Sequence, residues 1–138
     1  MKRRTFIKST AAAGIAMSFS AKSYARIIGS NDRVRVGVAG FSDRFKNDLF
    51  PAFSRHHKEL NFEIVAISDL WSVRREQGLA FLKEKTNPDT VAFRNNEEMY
   101  AARATDAVII STADFQHALH TIEALKAGQD CYTEKPLA

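Results

Sequence analysis

Five groups of residues in this chain have the types and spacing for shared chemistry: Gly40-Phe41-Ser42, Asp69, Thr112-Ala113-Asp114, His117 and Glu134-Lys135. Gly40 follows the alternating β-branched residues Val34, Val36 and Val38 and precedes the apolar series Phe45, Leu49 and Phe53. A glycine between a strand and a helix lets backbone pass close to a ligand, and the helix N-terminus then offers N–H groups to a phosphate. In G-x-G-x-x-G spacing Gly40 takes the first position, Ser42 the second and Phe45 the third, so one glycine of the fingerprint is present. Ser42 is expected to narrow the approach of a pyrophosphate, Phe45 to push the helix outward, and Asp43 to cap that helix.

Asp69 stands 29 positions after Gly40, at the end of the run Phe62–Ser68. A carboxylate at the carboxyl end of a second strand accepts both ribose hydroxyls of an adenosine. The alternative is that Asp69 caps the next helix, a job for which Ser72 competes. A carboxylate there repels a 2′-phosphate, which favours NAD over NADP, although Arg74 and Arg75 could reverse the preference.

The elements that must position these groups alternate. Strands are predicted at Val34–Val38, Phe62–Ser68, Thr90–Phe93, Ala107–Ile110 and Asp130–Thr133, separated by helices from about Arg44 to Lys58, Ser72 to Lys85 and Asn96 to Arg103, and by one that carries Leu119, Ile122 and Leu125 and ends at Gly128. Pro51 must kink the first helix or start a new turn. Gly78, Leu79 and Leu82 should face the sheet, as should the stripe Leu119, Ile122 and Leu125. Asn95 or Asn96 should cap the short third helix, and Asp114 the last one, whose first turn directs His117 into the ligand crevice and leaves His120 nearer the sheet-distal side. This pattern predicts an α/β fold: a doubly wound parallel sheet, Rossmann-like, in the order 3-2-1-4-5, with all strand carboxyl ends on one edge.

Residues 1–25 read as a leader. Arg3 and Arg4 precede Phe6, Ile7 and Lys8, then the weakly apolar run Ser9–Ala21 and the small-residue site Ser23-Tyr24-Ala25. The arrangement resembles a twin-arginine signal, with cleavage expected after Ala25 and export to the periplasm by the Tat machinery. The leader holds five basic residues and no acidic one, so residues 26–138 carry a net charge of −1, and the high isoelectric point belongs to the leader. Nothing in that balance asks for nucleic acid. One cysteine, Cys131, excludes an intramolecular disulfide, and no Cys/His spacing suits a metal; His56 and His57 read as surface residues. Residues 26–138 are expected to form one NAD(P)-binding domain.

The segment DAVIISTADFQHALHTIEALKAGQDCYTEKPLA, Asp106–Ala138, resembles the core of the glucose-fructose oxidoreductase and inositol dehydrogenase family (Gfo/Idh/MocA). The Asp-x-x-His turn, the Ala-Leu-Lys-Ala-Gly helix end and Glu-Lys-Pro after the fifth strand match in order, and Leu49–Phe53 and Ile64–Asp69 extend the likeness over the mature chain. Ser42 and Phe45 replace fingerprint glycines, and Ala113 stands where the family usually has proline. The resemblance implies an NAD(P)-dependent oxidoreductase of sugars or cyclitols, a homo-oligomer at full length. It implies that Lys135 exchanges the proton of the reacting hydroxyl; His117, from its expected place in the first turn facing the crevice, is a second catalytic candidate. Gly40, Phe41, Ser42, Asp69, Thr112, Asp114, Glu134 and Lys135 form the expected cofactor contacts. The family continues past Glu-Lys-Pro into a sixth strand and a second α/β domain that holds substrate, so the chain is expected to be a truncated form and inactive alone. The competing readings are an NAD-dependent glycosidase of the same family and a catalytically silent exported binding module, the latter favoured by Ser42 and Phe45.

Overall fold

A computed structural model describes residues 33–137; residues 1–32, on which the expected leader falls, and Ala138 lie outside the described residues. The sheet is five-stranded and wholly parallel, in the order β3-β2-β1-β4-β5. β1 is Val34–Ala39, β2 Phe62–Ser68, β3 Val91–Phe93, β4 Ala107–Ile110 and β5 Asp130–Thr133. Four α-helices connect them: α1 Phe50–His56, α2 Ser72–Lys85, α3 Asn96–Ala101 and α4 His117–Lys126.

The central strand β1 pairs with β2 on one side and β4 on the other, with Val38 opposite both Ile67 and Ile109. Because strand side chains alternate, each sheet face has its own core. On one face Val36, Val38, Ile64, Ile67 and Ile109 are covered by Phe41, Phe45, Leu49 and Leu82. On the other, Ala39, Ala66, Val108 and Ile110 meet Met99, Tyr100 and Ala124. The helices thus fall on both faces, as parallel connections require.

The first connection departs from the expected single helix. A π-turn, Phe45–Leu49, precedes α1, with the Phe50 N–H bonded to the Phe45 carbonyl, and Pro51 sits in the first turn of α1. A proline ring has no N–H to give to the preceding turn, so the change of winding falls where a regular helix could not continue. Phe45, expected to displace this helix, is instead fully buried, with its ring 6.1 Å from those of both Phe41 and Phe50. Room is made on α2, where Gly78 lies so close to the sheet that a Cβ would stand 2.8 Å from Phe41 Cγ.

α4 overturns a second expectation. Leu119, Ile122 and Leu125 are 55%, 51% and 58% exposed, and the helix faces the sheet through His117 and Ala124. Hydrogen bonds of His117 and of Thr121, whose hydroxyl meets Thr133 Oγ1 at 2.8 Å, hold the helix in this rotation. Its end is as predicted: Gly128 has φ +76° and its N–H donates to the Leu125 carbonyl.

Candidate functional site

A crevice of ≈ 690 Å³ opens at the carboxyl ends of β1, β2 and β4, lined among others by Gly40, Ser42, Asp69, Arg74, Thr112 and His120. Parallel strands deliver their ends to one edge, and the crevice lies where the connections leaving β1 and β4 run in opposite directions. Gly40 turns the chain with φ +86°, donating its N–H to the Ser68 carbonyl at 2.8 Å and accepting from Ser111 Oγ at 2.7 Å. A Cβ at this position would stand 2.8 Å from Thr112 Cγ2 and 3.0 Å from Thr112 Cα, so glycine is required by both conformation and space.

Ser42, and not Asp43, caps the helix that follows: its hydroxyl accepts the Phe45 N–H at 3.0 Å. Serine at this position therefore uses one of the first-turn donors that a phosphate would otherwise take. Asp43 pairs with Arg74 instead, at 3.0 Å, and this ion pair lowers the Asp43 carboxyl below the usual carboxylate range.

Asp69 bonds to two elements of the fold. Oδ1 accepts the Trp71 N–H at 2.9 Å and so begins α2, while Oδ2 accepts the Phe41 N–H at 2.9 Å and ties the glycine turn to β2. Each carboxylate oxygen has a second lone pair, so the group retains capacity for ribose hydroxyls. Ser72 makes no cap; Trp71 occupies the N-cap position without a side-chain bond. Asn95 caps α3 through the Glu98 N–H at 2.8 Å, as predicted.

The remaining predicted residues divide. Thr112 lines the crevice, its hydroxyl 2.9 Å from His120 Nδ1. Phe41 contributes backbone, since its side chain is buried in the core. Asp114 does not cap α4: a 3-10 turn, Asp114–Gln116, precedes the helix, with Ala113 at its N-cap and no side-chain cap bond. Glu134 is turned to the protein, its carboxylate accepting from Arg44 Nε at 3.1 Å and Tyr132 OH at 3.2 Å. Lys135 is exposed just past β5.

Neither histidine takes its expected place. His117 is 1% exposed, with Nδ1 3.0 Å from the Pro136 carbonyl and Nε2 3.0 Å from the Thr112 carbonyl. It fastens the turn after β4 to the segment after β5. His120 lines the crevice, and burial lowers its pKa from the usual histidine value, opposed by Glu123 and assisted by His117. Both placements follow from the rotation of α4 away from the side that hydrophobic spacing selects. Sequence reasoning also missed Trp71, 61% exposed on the crevice wall, although its place two residues after Asp69 was a usable signal.

The glycine turn, the helix N-terminus beside Ser42 and the Asp69 carboxylate suit the pyrophosphate and adenosine of a dinucleotide, which places the chain among nucleotide-binding Rossmann proteins. Residues 34–138 match the oxidoreductase family described as an NAD-binding Rossmann fold, GFO_IDH_MocA, and the chain belongs to that family. It is 33% identical over 111 residues to an inositol 2-dehydrogenase of Agrobacterium fabrum, covering 76% of this chain and 29% of that protein. The WlbA dehydrogenase of Bordetella pertussis, solved with NADH and UDP-GlcNAcA, is similar at 25% identity and a TM-score of 0.68, over 78% of this chain and 30% of that one. KijD10, a 3-ketoreductase of Actinomadura kijaniata solved with NADP, shares the fold at 24% identity and a TM-score of 0.64, over 78% and 30%. The chain therefore spans under a third of each relative's length.

Proposed function

We propose that this chain forms the dinucleotide-binding part of an exported NAD-dependent oxidoreductase acting on sugars or cyclitols, with the reaction belonging to the whole protein. The observation that carries the reading is the convergence of the Gly40 turn, the helix N-terminus after Ser42 and Asp69 on one crevice at the carboxyl edge of the sheet. NAD, when bound, supplies a ring that accepts hydride from a carbinol carbon. The chain's residues do the rest. Gly40 and the helix start hold the pyrophosphate, and Asp69 orients the adenosine ribose. Lys135 takes the proton of the reacting hydroxyl, a role that an exposed amine at this sheet edge can fill once substrate covers it. His117, buried between two carbonyls, positions the Lys135-Pro136 segment and transfers no proton itself.

In the complete protein, Lys135→Met should lower NAD-dependent turnover of sugars or cyclitols by about 10²- to 10⁴-fold and leave NAD affinity nearly unchanged. Unimpaired turnover would remove the lysine from the mechanism. Export rests on Arg3 and Arg4: replacing both by lysine should retain the protein in the cytoplasm, and undiminished periplasmic accumulation would refute this part of the proposal.

A further inference from the structure

The solved relatives hold either NADH or NADP, so the fold does not choose between the two cofactors. The choice turns on the positive charge available beside the adenosine ribose. Two arginines stand there, in the first turn of α2, and both are already engaged. Arg75 donates to the Asp69 backbone carbonyl at 2.7 Å. Arg74, on the crevice wall, donates through both terminal nitrogens to Asp43, at 3.0 Å to Oδ1 and 3.4 Å to Oδ2. The fork of the guanidinium that would grip a 2′-phosphate is thus closed on a carboxylate from the start of the neighbouring helix.

We infer that Asp43 makes the site selective for NAD by holding Arg74 in this pair. A 2′-phosphate, with a charge of roughly −1.5 to −2 near neutral pH, would approach Asp69 and gain Arg74 only by displacing Asp43. A free 2′-hydroxyl meets neither obstacle, because Asp69 accepts its hydrogen bond. Asp43 touches the cofactor through no atom of its own and acts by restraining Arg74. The inference rests on the reading that Asp69 receives the adenosine ribose.

The Asp43 side chain is 71% exposed, so replacing it leaves the core intact. Trp71 is the single tryptophan of the chain and lines the same crevice, and its fluorescence reports either dinucleotide directly. Titrations of the full chain with NAD and with NADP, checked by calorimetry, should show NAD bound more tightly. Asp43→Asn should shift the ratio of the two affinities towards NADP by about 1.5-fold to fivefold, the range expected for releasing an exposed ion pair. In Asp43→Asn combined with Arg74→Gln that gain should disappear. An unchanged ratio in Asp43→Asn, or a gain that survives loss of Arg74, overturns the inference while the binding site stands. A wild-type chain that prefers NADP also overturns it, and a chain that binds neither dinucleotide overturns the site reading with it.

Discussion

Asp69 holds two N–H groups from different elements, and its replacement should separate structure from binding. Its carboxylate accepts from Phe41 and from Trp71, each at 2.9 Å. A hydrogen bond to a charged group contributes about 1.5 to 3 kcal/mol, and both donors lie near the crevice, where water can replace a lost acceptor, so the lower end applies. Asp69→Ala should therefore cost about 2 to 4 kcal/mol of stability. Asp69→Asn keeps one accepting oxygen and should cost about half as much. For a domain of this size, 1 kcal/mol moves Tm by roughly 4 to 8 °C. The alanine variant should thus melt at least about 10 °C below the parent. Loss of the ribose acceptor should weaken NAD by a further ~1.5 to 3 kcal/mol, about tenfold to a hundredfold. Urea unfolding without ligand gives the first quantity, and calorimetry at a temperature where each variant is folded gives the second. An asparagine variant that melts with the parent refutes the two-bond account. One that loses stability but binds NAD undiminished leaves Asp69 as a cap alone.

Gly78→Ala should destabilise the domain by about 1 to 2 kcal/mol, the overpacking cost less what alanine gains in a helix, because a Cβ would stand 2.2 Å from Ile67 Cδ1 and 2.8 Å from Phe41 Cγ. A variant as stable as the parent in urea would show that α2 can retreat from the sheet at no cost. Burial holds the His120 pKa below its unfolded value, so near pH 6 the unfolded chain binds more protons than the folded one. Stability should be complete above about pH 6.5 and fall as the pH drops below it, and His120→Gln should flatten that slope in denaturant titrations between about pH 5 and 8. An unaltered slope would assign the acid sensitivity to other groups.

The strands and their order were legible in the sequence because each signal is local and the rule that joins them is general. Val34, Val36 and Val38, the apolar run ending at Ser68 and the run Ala107–Ile110 read as buried strands wherever they occur, and parallel strands joined by helices allow few topologies. The places of the glycine turn and of Asp69 were legible for the same reason: a glycine that must turn the chain, here with φ +86°, and a carboxylate ending a strand are marked by local sequence. What only the tertiary structure decided is which partner each polar group takes and which side of a helix turns inward. Leu119, Ile122 and Leu125 have the spacing of a buried stripe, yet α4 lies on the sheet through His117, Thr121 and Ala124. Hydrophobic period fixes that a helix has an apolar side. Hydrogen bonds from distant segments, here the Pro136 and Thr112 carbonyls and the Thr133 hydroxyl, fix its rotation, and with it which histidine reaches the crevice. Likewise Asp43 and Arg74 lie on separate helices, and their pairing across the crevice wall exists only once the sheet has brought the two helix starts side by side.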